Sequence, residues 1–420
     1  MTGKGQPLVI VGASYAGLQI AASAREFGFE EPIYLFGDEP HAPYQRPPLS
    51  KGLLTGKTQE DQLPLRSPAF YEDHRIELVT GMRVAAFDAV ARRLALADGR
   101  TLDYGWLALA TGASCRPFGV PGSGLRGVFK LRTLDDARAL AAWAVNAQRV
   151  CVIGGGYIGL EVASALGGQG KKVTVVQGAN RVLNRSMPPL MSRFFEEAHA
   201  RRGVELRTGT AVRALHGQAG VVAAVETEDG TRIECDMVVL GTGVIPNFQL
   251  AAEAGLTISD GIDTDMHGQT SAPRVLAAGD VACMALPPWP GAPSRARLES
   301  IQAANDGAKA AAATLVGRRQ PCESVPWFWS DQFDLKLQMA GLALPGDQAV
   351  VRGDMDSEKF SVAYLRSGLL VAMHSVNRPA EHMLARKLIA AQARIPAAEL
   401  ADPSHDLKQA LAPARAIAAA

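Results

Sequence analysis

The feature that most limits what this chain can fold into is a strand, glycine turn and helix that occurs twice. Leu8-Val9-Ile10-Val11 is a short apolar run ending at Gly12. An alanine-rich amphipathic stretch follows to about Phe27, and a second run, Ile33-Tyr34-Leu35-Phe36, closes the unit. The same order recurs at Val150-Cys151-Val152-Ile153, Gly154 to Gly170 and Val173-Thr174-Val175-Val176, so the second unit begins 142 residues after the first. A β-α-β unit with glycine at its first turn aims backbone N–H groups from a helix N-terminus, which suits a pyrophosphate. Two such units predict two dinucleotides.

The rest of the chain narrows the class. Its 420 residues exceed what one hydrophobic core organises, which predicts two or three domains. Lys plus Arg (43) and Asp plus Glu (42) nearly cancel, so no global field favours nucleic acid or an anionic membrane. The 42 glycines exceed the roughly 7% of ordinary chains and sit beside apolar runs, as nucleotide-binding turns require. The five cysteines, at 115, 151, 235, 283 and 322, are never closer than 36 residues, so no C-x-x-C pair offers dithiol or zinc chemistry. No apolar run approaches the roughly 20 residues of a bilayer span, and Met1 to Pro7 lacks a signal-peptide pattern. A cytoplasmic location is the expectation. The final residues, Leu411 to Ala420, read as a loose tail.

The second fingerprint, Gly154-Gly155-Gly156-Tyr157-Ile158-Gly159, is a full G-x-G-x-x-G. Gly154 allows the tight turn, Gly156 lets backbone approach the pyrophosphate, and Gly159 permits close helix–strand packing. The first, Gly12-Ala13-Ser14-Tyr15-Ala16-Gly17, carries Ser14 in place of the middle glycine, a small residue whose hydroxyl suits a phosphate neighbour. Asp38, 21 residues after Gly17, is placed to accept from a ribose hydroxyl, with Glu39 competing for that role. Two more glycine turns end apolar strands, Leu109-Ala110-Thr111-Gly112 and Leu240-Gly241-Thr242-Gly243. Val275-Leu276-Ala277-Ala278-Gly279-Asp280 delivers a carboxylate that either accepts from a ribityl hydroxyl or caps a helix.

These residues resemble the FAD-dependent ferredoxin reductases of bacterial oxygenase systems, which have the glutathione-reductase-like fold. The likeness covers nearly the whole chain. It rests on both fingerprints, on Pro43-Tyr44-Gln45-Arg46-Pro47-Pro48-Leu49-Ser50-Lys51, the Ala110-Thr111-Gly112 turn and Gly279-Asp280. It also rests on Arg297-Leu298-Glu299-Ser300 and Pro326-Trp327-Phe328-Trp329-Ser330-Asp331-Gln332. The resemblance implies an α/β fold with two Rossmann-like domains and a C-terminal α+β domain. FAD would be bound by 1–113 and 247–325, NAD(H) by the inserted 114–246, and 326–420 would form the interface domain. It implies hydride transfer from NADH to FAD, then single electrons to a two-iron two-sulfur ferredoxin that feeds a monooxygenase or a Rieske-type dioxygenase.

The resemblance also assigns roles. Lys51 and Glu161 meet at the hydride-transfer site, one from each nucleotide domain; Tyr157 covers the flavin face and Trp329 lies against the flavin ring. Gly12, Ser14, Gly17, Asp38, Arg46, Thr111, Gly112, Gly279, Asp280 and Glu299 contact FAD. Gly154, Gly156, Gly159, Gln177 and Gly243 contact NAD. Ferredoxin docks over Trp329 with Arg66, Lys309, Lys336 and Lys387 as basic contacts. Gln177 stands where NADH-specific relatives carry an acid, so NADH is expected to be preferred with weaker discrimination. No metal site is expected. The other readings are a reductase for a small acceptor such as monodehydroascorbate, and a weakly catalytic NADH-sensing protein on the same fold.

Overall fold

The computed structural model describes residues 6–411, so the expected tail lies, apart from Leu411, outside the described residues. The chain folds as two compact units. The first comprises the chain up to Gln45, Pro64–Ser114 and Ile245–Phe328; the second comprises Arg46–Leu63, Cys115–Val244 and the chain from Trp329.

The first unit is built on a five-stranded parallel sheet in the order Val275–Ala277, Trp106–Leu109, Leu8–Val11, Ile33–Phe36, Ile76–Val79. Leu8 aligns with both Ile33 and Trp106, so the fingerprint strand is central. Every residue of Leu8–Val11 is buried, as a parallel strand covered on both faces requires, which is why the sequence shows an unbroken apolar run there. The helices Tyr15–Glu26 and Ile301–Leu315 pack through small residues, including Ala21, Ala24, Ala304, Ala308 and Ala311. An antiparallel three-stranded sheet, Val84–Asp88, Arg93–Leu96 and Thr101–Asp103, adds a second core.

The second unit repeats the plan. Its parallel sheet runs Glu205–Thr208, Lys172–Gln177, Arg149–Ile153, Met237–Leu240, Val128–Lys130, again with the fingerprint strand in the middle. Arg46–Leu63 is fastened to this unit: Arg46 Nη1 donates to the Arg132 carbonyl at 2.7 Å, Gln169 Nε2 to that of Leu54 at 3.2 Å, and Arg138 pairs with Glu60 at 2.5 Å. The chain then forms an antiparallel sheet in the order Trp327–Gln332, Leu335–Gly341, Leu369–Val376, Lys359–Arg366, Gln348–Asp354, against which the helix Pro379–Ala390 packs. Among the described residues no helix is long and apolar enough to cross a membrane.

One buried cation organises the end of this sheet. Arg352 is 5% exposed; its Nε donates to Glu381 at 2.9 Å, and its terminal nitrogens donate to the carbonyls of Leu400, Asp402, Pro403 and His405. Burial alone would raise the Glu381 carboxyl, but hydrogen bonds from Ser361, Arg378 and Arg352 hold it below its ordinary value. Arg352→Leu removes the donor from four carbonyls and one carboxylate. The expected loss is about 3 kcal/mol in urea denaturation, with new proteolytic cleavage beyond Leu400. An unchanged midpoint and cleavage pattern would refute this role.

Candidate functional site

Each fingerprint is a place where backbone meets backbone. A Cβ on Gly12, whose φ is +116°, would stand 2.1 Å from the Ala110 carbonyl oxygen, and one on Gly17 would stand 1.9 Å from that of Gly12. The second cradle has the same construction: a Cβ on Gly154 would meet the Gly241 oxygen at 2.2 Å, and one on Gly159 the Gly154 oxygen at 2.0 Å. Gly156 differs, since a Cβ there would meet nothing within 4 Å. The fold therefore forces glycine at the outer positions, while the middle one leaves open space before the helix Tyr157–Gly167. Neither fingerprint helix carries an acid in its first turn, so neither helix dipole is countered where an anion would bind. These cradles fit two dinucleotides.

In the first unit Ser14 is the residue before the helix and Asp38 is exposed at the end of the second strand. Glu39, its competitor, accepts from Tyr44 Oη at 2.6 Å. The Thr111-Gly112 turn is held by a residue the sequence did not single out: Thr111 Oγ1 donates to the Asn247 carbonyl at 2.8 Å. Asn247 returns a bond from Nδ2 to the Thr111 carbonyl at 2.9 Å and one from its N–H to Gly112. Gly279, at φ +81°, turns the chain so that Asp280 follows the strand Val275–Ala277. Glu299 is exposed and paired with Arg297.

The second unit contains the charged centre. Glu161 lies on the helix after the second fingerprint and is 6% exposed. Its Oε2 is 2.6 Å from Lys51 Nζ and accepts from Ser50 Oγ at 2.6 Å; its Oε1 accepts from Ser330 Oγ at 2.6 Å. A buried carboxylate requires such donors, and here they come from Pro47–Lys51 and from the C-terminal sheet. Lys51 and Glu161 thus meet, although both belong to this unit and not one to each, and Ser50 and Ser330 join them; no local pattern marks these serines, because they lie 111 and 169 residues from Glu161. Tyr157 Oη engages Met339 Sδ at 3.3 Å, and burial raises its phenol. Arg46 is committed to the Arg132 carbonyl.

Gln177 turns inward. Its Oε1 accepts from the Gly155 N–H at 2.8 Å and its Nε2 donates to Asn184 Oδ1 at 3.3 Å. Arg181 donates to Met187 O, Ser192 Oγ and Asn184 O at 2.5–3.0 Å, so its guanidinium braces the loop after the strand. Arg185 is exposed, with Nη1 3.4 Å from where a Cβ on Gly243 would lie. Trp327, Phe328 and Trp329 are each half-buried, and Arg66, Lys309, Lys336 and Lys387 are each exposed.

Four of the five thiols are buried. All five cysteines are free; burial pushes Cys235 up to about 12 and Cys322 up to about 11, and raises Cys115 and Cys151. Such thiols are poor nucleophiles. Among the described residues no group of three or more His, Cys, Asp or Glu is placed to hold a metal.

The chain matches the family described as pyridine nucleotide-disulphide oxidoreductase over residues 6–308 and the domain described as reductase C-terminal over 327–411. It is 42% identical to rhodocoxin reductase of Rhodococcus erythropolis, the match covering 96% of this chain and 94% of the relative. It is 41% identical to the ferredoxin--NAD(+) reductase component of the anthranilate 1,2-dioxygenase system of Burkholderia cepacia, over 96% and 98% of the two chains. It superposes with a TM-score of 0.94 on the reductase of the covalent putidaredoxin reductase–putidaredoxin complex, at 39% identity, covering 99% of this chain and 100% of that one.

The glycine geometry separates fold from binding. Gly156→Ala places its methyl in open space, so folding stability should change by no more than about 1 kcal/mol while nicotinamide nucleotide affinity falls at least roughly ten-fold. Gly159→Ala drives a methyl into a carbonyl and should prevent a stable fold. Calorimetry and nucleotide titration on both variants check this. Equal losses of stability in the two would show that the middle glycine is structural.

Proposed function

We propose, for a chain that belongs to the pyridine nucleotide-disulphide oxidoreductase family, that it is the reductase of an oxygenase system, passing electrons from NADH to a two-iron two-sulfur ferredoxin. The family uses FAD and NAD(P)H. The observation that carries the reading is the Lys51–Glu161 pair in a chain whose five thiols are all unpaired. Hydride can be received beside that pair, but no dithiol is available to take the electrons onward. An external carrier would have to take them from bound FAD.

FAD, when bound, accepts a hydride and releases its electrons singly. The chain's own contribution is placement and charge. Gly12, Ser14 and Gly17 would cradle the FAD pyrophosphate, with Asp38 at the ribose, Thr111, Gly112, Gly279 and Asp280 at the ribityl side, and Arg46 and Glu299 nearby. Gly154, Gly156, Gly159 and Gly243 would hold NADH. Lys51 supplies a fixed cation for the negative charge that reduction creates, and Glu161 holds that ammonium in place. Tyr157 and Trp329 would flank the ring. A ferredoxin docking at Trp329 with Arg66, Lys309, Lys336 and Lys387 is supported by the exposure of all four cations. Relatives whose names specify a ferredoxin or a putidaredoxin complex support that partner class.

Anaerobic NADH titration of the purified protein should bleach its flavin absorbance, and addition of a two-iron ferredoxin should then restore it as the ferredoxin is reduced. The rate of that second step should fall steeply with added salt, because exposed charges are screened within about 10 Å at 0.1 M salt. A protein that holds no flavin, or that reduces monodehydroascorbate but no ferredoxin, would overturn the assignment.

A modest NADH preference is supported by Arg181, and its weak discrimination by Gln177 and Arg185. The Gln177 amide carries no charge to repel a 2′-phosphate, the Arg181 guanidinium is spent on the loop, and Arg185 alone of the two arginines stays exposed. Gln177→Glu keeps an acceptor for the Gly155 N–H and adds a negative charge. The ratio of NADH to NADPH efficiency should rise roughly ten-fold, about 1.4 kcal/mol, chiefly through loss of NADPH efficiency. Steady-state kinetics with both nucleotides check this, and a wild type that prefers NADPH would refute it.

A further inference from the structure

Behind Glu161 lies a line of buried polar side chains that the reaction does not directly use. Ser330 Oγ is 2.6 Å from Glu161 Oε1; Gln332 Nε2 is 3.2 Å from Ser330 Oγ; and Gln332 Oε1 is 2.8 Å from His199 Nε2. Ser330, Gln332 and His199 are each 0% exposed. His199 sits on the helix Pro189–Arg201, with its ring edge against Phe333.

The direction of every bond follows from one fact. A carboxylate paired with Lys51 only accepts, so Ser330 must spend its single hydrogen on Glu161. Ser330 can then only accept from Gln332, which turns the amide nitrogen toward the serine and the amide oxygen toward the histidine. That oxygen needs a donor, so His199 carries its hydrogen on Nε2. Nδ1 is left as a bare lone pair, and it has no hydrogen-bond partner among the described residues. A buried lone pair without a partner costs less than a buried N–H without one. Burial depresses the His199 ring to about 4, so the neutral form that the line requires is the one present.

We infer that His199, Gln332 and Ser330 are positioning residues, a one-directional hydrogen-bond line that fixes which way the Glu161 carboxylate faces and so where it holds Lys51. The inference rests on the reading that Glu161 and Lys51 stand at the hydride-transfer site. Without the line, one carboxylate oxygen loses its only donor outside Pro47–Lys51, and the carboxylate is free to rotate away from the ammonium.

Two measurements test it. In histidine ¹⁵N NMR on the protein without substrate, His199 should show a protonated Nε2 and a bare Nδ1, titrating only near pH 4. The opposite tautomer, or an imidazolium at neutral pH, overturns the line. In stopped-flow reduction by NADH, Ser330→Ala, Gln332→Leu and His199→Leu should each lower the limiting rate roughly five-fold while the NADH Kd stays unchanged. His199→Gln, whose amide nitrogen reaches the place of ring Nε2, should restore it. Ser330→Ala is the smallest of these changes and remains informative if a histidine variant does not fold. Glu161→Gln separates the two levels: if it slows reduction while Ser330→Ala and Gln332→Leu do not, the line alone is refuted. If Glu161→Gln reduces at the wild-type rate, the hydride-site reading fails and the line falls with it.

Discussion

The second unit is organised around a negative charge almost wholly withdrawn from water. Glu161 is almost fully buried, and a carboxylate in that setting is tolerated only when each oxygen has donors. Those donors arrive from sequence positions far apart: Ser50 and Lys51 from the short helical turn after Arg46, and Ser330 from the C-terminal sheet. Satisfying one side chain therefore fastens Arg46–Leu63 and the C-terminal sheet to the nucleotide-binding sheet. The ammonium that results is held at a defined point beside the second fingerprint, where a free lysine would sweep a wide volume.

The parallel sheets and their glycine crossings were legible because they are local. A fully buried parallel strand must read as an apolar run, and a crossing where carbonyl oxygens stand about 2 Å from a would-be Cβ must read as glycine. Lys51, inside a run that carries the family resemblance, and Glu161, two residues past the second fingerprint, were assigned roles through that resemblance. Ser50, Ser330, Gln332, His199 and Asn247 were not, since each works through a partner at least 111 residues away and serine, glutamine and asparagine have many ordinary uses. The inward turn of Gln177 onto Gly155 was equally invisible, because residue type does not say which way an amide faces.

The thiols explain why the chain departs from the disulphide chemistry in its family's description. Cys151 and Cys235 lie in one hydrophobic cluster with Val225 and Val238, where burial disfavours a thiolate. They act there as small apolar residues. A chain with this arrangement has no internal store for an electron pair beyond the flavin itself, so its acceptor must be brought to it.

The glycine crossings also determine what genetics could repair. At Gly12, Gly17, Gly154 and Gly159 the obstacle to a methyl group is a main-chain carbonyl, and every residue type has the same main chain. No second substitution can remove that oxygen, so alanine at these four places has no local suppressor. Gly155 lies within the same turn, yet a Cβ there would meet the Val182 side chain at 2.9 Å. That obstacle can be shortened, and Val182→Ala would make room. Neighbouring glycines of one motif thus divide into irreparable and reparable positions, according to whether backbone or side chain stands opposite.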